Sequence, residues 1–203
     1  MPVTESLAEA VHEASADLGP TLLALARAAI AHHLGVGEAP VVGDDPTLNA
    51  RGASFVTLKL DGELRGCIGS IKRARTLGED VILNAVAAAS RDTRFEPLSA
   101  AELARTRIEV SVLSEPEFLD FKDEAELLAQ LQPHQHGLML FACCASAVFL
   151  PQVWEQFPEP ADFLGALKRK GGIRPGHDFS ALMAARYTVA KWDEAITGLA
   201  PGS

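Results

Sequence analysis

Cysteine is scarce in this chain, with three residues in 203: Cys67, Cys143 and Cys144. An odd count with two adjacent thiols excludes the disulfide framework of small secreted domains and points to reduced thiols in a reducing compartment. Positive charge is also short. Lys and Arg number 18 against 27 Asp and Glu, a net charge of -9. Such a surface repels a phosphate backbone as a whole, so general nucleic-acid binding is not expected. No stretch of about 18 uncharged apolar residues occurs, so no membrane span is expected. The amino terminus carries Glu5 and Glu9 and lacks the basic start and apolar run of a secretory signal. These absences describe a cytoplasmic protein. Familiar catalytic signatures are missing too. There is no phosphate loop and no Gly-x-Gly-x-x-Gly fingerprint. Gly-x-Ser-x-Gly and His-Glu-x-x-His are also absent. Without a Cys-x-x-x-Cys-x-x-Cys run, the chain is not itself a radical-SAM enzyme.

Apolar residues make up 48% of the chain and charged ones 22%, enough for a core without staples. Apolar spacing predicts a helix over residues 4–18, broken at Gly19-Pro20, and a second helix opened by Pro20 that stops at Gly35. A loop over 36–52 leads to a strand over 53–60. Asp61-Gly62 is a strong hairpin signal, with the return strand over 63–71. A two-residue turn would set Val56 opposite Cys67, Leu58 opposite Arg65 and Phe55 opposite Ile68. Thr76 to Glu79 and Ser99 to Glu102 are capping boxes that open helices. Ile108, Val110 and Val112 alternate inward in a strand over 107–113. Beyond it lie a short helix over 123–131 and strands over 137–142 and 147–150 around a turn. A helix over 161–170 and a last strand over 186–192 close the pattern. The hairpins argue for an α+β fold, with a mainly antiparallel sheet flanked by helices.

The segment Leu64-Arg65-Gly66-Cys67-Ile68-Gly69 stands out chemically. Gly66 and Gly69 remove side-chain bulk, so a backbone or ligand can approach closely. Arg65 brings positive charge near a thiol. The plainer reading is a small buried hydrophobe beside a bulge. This hexapeptide resembles the Leu-Arg-Gly-Cys-Ile-Gly signature of the AMMECR domain family, whose prokaryotic form is the A protein of the AmmeMemoRadiSam system. Further matches follow in order: Asn84-Ala85, Ala88-Ala89, Asp92-Thr93-Arg94-Phe95, Glu109 to Leu113, His136-Gly137-Leu138, Phe149 to Val153 and Lys170-Gly171-Gly172. Thr93 stands where the family has proline, Gly171 where alanine is common, and Gly176-His177-Asp178 where tryptophan is common.

The resemblance implies an α+β fold with a larger and a smaller lobe over residues 20–192, leaving a helical extension over 1–19 and a tail over 193–203. It also implies a functional site at the hexapeptide and the company of Memo-like and radical-SAM proteins, without an established reaction. Three activities are open from the residues. In a cysteine-dependent enzyme, Cys67 is the nucleophile and His136 the base, since a thiol near neutral pH needs a base or a positive field. Asp92 or Glu63 would orient the histidine, and Arg94 or Arg65 would hold an anionic substrate. In a binding or adaptor module, Leu64, Gly66, Ile68 and Gly69 shape a groove for a small molecule or a partner protein, with Cys67 as packing. A metal site would draw on His134, His136, Cys143 and Cys144, but adjacent cysteines suit one tetrahedral ion poorly. No cofactor is expected.

Overall fold

The structure, a computed structural model, describes residues 15–143, 145–174 and 176–194. Most of the helix expected over 4–18, Cys144 and most of the 193–203 tail lie outside these residues. The first elements are helix α1 (Ser15–His33), the short α2 (Pro46–Asn49), and strands β1 (Arg51–Gly52), β2 (Ser54–Leu60), β3 (Glu63–Gly69) and β4 (Arg75–Thr76). Helices α3 (Leu77–Ser90) and α4 (Ala100–Leu103), then strands β5 (Thr106–Leu113) and β6 (Glu117–Leu119), follow. The order continues with α5 (Glu124–Ala129), β7 (Gly137–Ala142), β8 (Ala145–Phe149), α6 (Pro160–Lys170), β9 (Leu182–Tyr187) and β10 (Val189–Asp193). Single 3₁₀ turns at Pro151–Glu155 and Phe179–Ala181 flank α6. The fold is α+β, with antiparallel sheets flanked by helices.

The chain divides into two compact units, Met1–Leu113 with Ala190–Ser203, and Ser114–Val189. The first holds a four-stranded sheet in the order β10-β5-β2-β3 and the two-stranded ribbon β1-β4. Helices α1 and α3 pack on one face of that sheet. Leu22, Ala26 and Ile30 of α1, Val81 and Ala85 of α3, and Val56, Leu58, Ile108 and Val110 of the strands are all fully buried. Each large aliphatic side chain so buried stabilises the fold by about 1.5–3 kcal/mol before entropy is counted. The second unit holds the sheet β6-β9-β7-β8. Its separate core includes Leu138, Leu140, Trp154, Phe163 and Leu164, with Trp154 and Phe163 stacked at 3.8 Å between centroids.

Three sequence expectations need correction. Gly19-Pro20 does not break the first helix, because α1 runs through Pro20. Proline there deletes one hydrogen bond near the amino-terminal end, and the fully buried stripe of Leu22, Ala26 and Ile30 outweighs that loss. Gly19 is used instead for close packing, since a Cβ there would run into the Trp192 ring. The expected last strand is two strands, β9 in one sheet and β10 in the other. The hairpin register is the third. Asp61 (φ 52°) and Gly62 (φ 93°) both take the positive φ that a two-residue type I′ turn demands. The ladder starts as expected at Leu60–Glu63 and then shifts by one residue, giving Leu58–Gly66, Thr57–Cys67, Val56–Ile68 and Phe55–Gly69. Arg65 is the extra residue of a β-bulge. Cys67 therefore stands opposite Thr57 rather than Val56.

Candidate functional site

The bulge decides where the thiol goes. Gly66 faces α3 so closely that a Cβ would collide with the Ala88 carbonyl oxygen. Alternation then turns Cys67 to the other face of the sheet. There it is half-buried, and its Sγ accepts a hydrogen bond from Thr57 Oγ1 at 3.3 Å. Glu109 lies beyond Thr57 in the same cross-strand row. It binds Lys59 at 2.9 Å and Lys191 at 2.8 Å. Burial opposes the Glu109 charge, but Lys191 and Lys59 outweigh it and hold the carboxyl below its ordinary range.

The order β10-β5-β2-β3 leaves β3 at the edge of the sheet. The main-chain groups of Cys67 point away from β2, and two side chains of the Asp92-Thr93-Arg94-Phe95 segment serve them. Asp92 Oδ2 accepts from the Cys67 amide at 2.8 Å, and Arg94 Nη2 donates to the Cys67 carbonyl at 3.4 Å. Arg94 is itself chelated by Asp92, through Nε at 2.9 Å and Nη2 at 2.6 Å. That guanidinium, with burial opposing and the Cys67 and Arg94 amides adding, holds the Asp92 carboxyl well below the usual carboxylate range. The two segments singled out in the sequence thus meet at the backbone of Cys67.

Arg65 serves a different purpose. Its guanidinium binds Glu102 (3.0 Å from Nε), the Glu96 carbonyl (2.6 Å) and the Pro97 carbonyl (3.3 Å), fastening the 96–102 segment to the bulge. The Ser99 amide, then Arg65, then the Ser99 hydroxyl bring the Glu102 carboxyl down to about 2. A depressed carboxyl stabilises the fold above its unfolded value and loses that contribution as pH falls through the folded one. Stability measured by urea titration is therefore expected to decline from about pH 4.5, the ordinary value, to about 2. Glu102→Gln should flatten that decline, and an unchanged slope would sink the assignment.

Behind β3 lies a buried polar cluster of which only Asn84 lay in a segment noted from the sequence. Asp80 is fully buried and accepts from the Ser54 amide (2.8 Å), Ser54 Oγ (2.8 Å), Ser70 Oγ (2.6 Å), Asn84 Nδ2 (2.9 Å) and Arg75 Nη1 (3.4 Å). Ser70 follows Gly69 directly, so the cluster pins the end of the hexapeptide to α3. Asp80 and Asn84 share the helical stripe of Val81, Ala85 and Ala88, a placement that 3.6-residue projection reveals. Ile68 packs against the core of the first unit, Leu64 is exposed, and Gly69 is covered by the Phe55 ring.

His136 belongs to the second unit. Its Nδ1 accepts from the Gln132 amide at 3.0 Å, so the single lone pair of the neutral ring is engaged and Nε2 carries the proton. Burial and the nearby Arg186, against Glu117, keep its pKa below the ordinary value. Cys67, Asp92, Arg94 and Arg65 are gathered in the first unit, and the partners found for His136 are all in the second. Glu63, the other residue expected to orient the histidine, opens β3 as an exposed side chain. Among the described residues no three His, Cys, Asp or Glu side chains are grouped to hold a metal ion, and no helix is long and apolar enough to cross a membrane.

Fold and site together define an α+β protein with a thiol on an edge strand whose main chain is held by an Asp-x-Arg pair. The chain belongs to the AMMECR1 family, matching it over residues 23–192. A protein of Aeropyrum pernix is 42% identical over 183 residues, covering 87% of this chain and 78% of that protein. One of Sulfolobus acidocaldarius is 35% identical over 176 residues, covering 81% and 76%. The crystal structure of an uncharacterised protein, PH0010, from Pyrococcus horikoshii is similar, with a TM-score of 0.74 and 29% identity over 88% of this chain and 92% of that one.

Proposed function

We propose that the chain handles a small molecule at the hexapeptide, with Cys67 as the reacting thiol, in the company of Memo-like and radical-SAM proteins. The observation that carries this is the way the residue is presented. Asp92 and Arg94 engage its amide and carbonyl, while its Sγ stands on the face away from the helices with a hydroxyl for a partner. A buried packing cysteine does not require its main chain to be fixed by an ion pair. A reacting one does, because small errors in placement cost rate. Arg65, Gly66 and Asp80 are positioning residues in this scheme: they set the bulge, the approach of α3 and the end of the strand.

The test is alkylation of the folded protein by iodoacetamide, with Cys143 and Cys144 changed to Ser, followed by intact mass. A single adduct at Cys67 without unfolding is expected. An adduct that forms only in denaturant would assign Cys67 to packing and end the proposal. The proposed company is supported by family membership, and a pull-down with the tagged chain should recover Memo-like or radical-SAM proteins. Recovery of neither would leave the thiol chemistry standing without that context.

A further inference from the structure

Resting on the reading of Cys67 as the reacting thiol, we infer that the molecule taken up beside it carries an oxyanion, a carboxylate or a phosphoryl group, held by Arg94. Two arginines lie near the hexapeptide and they differ in one respect. Arg65 is 15% exposed and its Nε, Nη1 and Nη2 all donate to Glu102 or to backbone carbonyls. Four of its five N–H groups are so engaged, and little of the side chain is open to a ligand. Arg94 is 54% exposed. Asp92 takes its Nε and Nη2, and the Phe95 ring lies 5.4 Å from its guanidinium carbon. Its Nη1 makes no hydrogen bond to any described residue.

A guanidinium chelated along one edge is fixed in orientation and still offers its end to a second acceptor. That end lies next to the thiol residue, because Nη2 reaches the Cys67 carbonyl. The arrangement costs little reorganisation on binding, since Asp92 has already ordered a side chain that would otherwise be mobile. Arg94 is a binding residue here, and Asp92 positions both it and Cys67. The two N–H groups of Nη1 bind a charged carboxylate or phosphate oxygen more strongly than a neutral one, and they repel a cation.

Two alkylating reagents of nearly equal size, iodoacetate and iodoacetamide, test this directly. In each case the Cys67 sulfur forms a bond to the methylene carbon, the carbon–iodine bond breaks, iodide leaves with the bonding pair, and the thiol proton passes to buffer. The reagents differ in that one carries a carboxylate. In the protein with Cys143 and Cys144 changed to Ser, the iodoacetate-to-iodoacetamide rate ratio is expected to exceed that of the same chain in urea by roughly tenfold, about one charge-assisted hydrogen bond. The iodoacetate rate should saturate with concentration, and Arg94→Gln should return the ratio to the unfolded value. Arg94→Lys, which keeps the charge but not the fork, should give an intermediate ratio.

Competition in the unmutated site separates the two sources of oxyanion. Stronger protection by inorganic phosphate than by acetate assigns a phosphoryl group, and the reverse a carboxylate. Equal ratios in folded, unfolded and Arg94→Gln protein, with no protection by either anion, would overturn the inference and leave the reactive thiol intact. If neither reagent labels the folded protein, the parent reading falls and this one with it.

Discussion

Gly66→Ala is expected to destabilise the protein by about 3 kcal/mol, at the upper end of what overpacking costs. The reason is the identity of the obstacle. The added methyl would meet the main-chain carbonyl of Ala88, lying only 3.1 Å from its carbonyl carbon, in the last turn of α3. A flexible side chain would swing aside, but a helical carbonyl moves only with its helix. Ala85, Ala88 and Ala89 of that helix are already packed into the core, so a shift of α3 opens cavities elsewhere. Equilibrium unfolding in urea measures the loss. A change below about 0.5 kcal/mol would show that α3 gives way freely and that Gly66 is not required by packing. The iodoacetamide reactivity of Cys67 should change in the same variant, since the strand that presents the thiol would be pushed off the helix.

Asp80→Ala is expected to cost more, about 3–5 kcal/mol, the penalty for removing one member of a buried charged network. Five donors converge on this carboxylate, among them the Ser54 main-chain amide and the Arg75 guanidinium. Truncation leaves the Ser54 amide and the Asn84 side chain buried with acceptors missing, although Asn84 keeps its bond to the Ser54 carbonyl at 3.0 Å. Asp80→Asn keeps the shape and turns one acceptor into a donor facing other donors, so it should also destabilise, by less. Urea midpoints for both variants check the order. Ala at or below 1 kcal/mol would mean that water replaces the carboxylate at no cost and that the cluster does not hold the strand end. Because Ser70 is among the donors, loss of Asp80 should also loosen the end of the hexapeptide, seen as faster exchange of the Ser70 amide, which donates to the Ser54 carbonyl.

Much of this architecture is legible in the amino-acid sequence. Asp61-Gly62 declared its hairpin because so few residue pairs tolerate two positive φ angles. Thr76 with Glu79 marked a helix start through reciprocal bonding that the structure contains, and at the next start the Glu102 carboxylate accepts from both the Ser99 amide and its hydroxyl. The register was not legible. Gly66 and Gly69 have no side chains to declare a face, so alternation was silent where the bulge at Arg65 moves every later residue. The candidate site shows the same division. Cys67, Asp92 and Arg94 were found by their segments, but the sequence suggested that Asp92 would orient a histidine, whereas its carboxylate holds the Cys67 amide and the Arg94 guanidinium. Thr57, and the place of Glu109 beside it, were hidden because an outward residue in a strand reads as a solvated one. Asp80 was hidden because an acidic residue in the first turn of a capped helix already has an explanation in the dipole.

The route of the chain has a consequence for how the molecule can vary. Its path leaves the first unit after Leu113 and re-enters at Ala190, where β5 and β10 are hydrogen-bonded neighbours. Just past these points, Ser114 and Thr188 bond to each other, amide to carbonyl at 3.0 Å and amide to hydroxyl at 3.0 Å. The second unit is therefore a guest spliced into a host, with its two ends clipped together at the door. Lengthening or trimming the guest leaves the distance the host must span unchanged, so the thiol-bearing sheet is insulated from insertions and deletions throughout the stretch that separates β5 from β10.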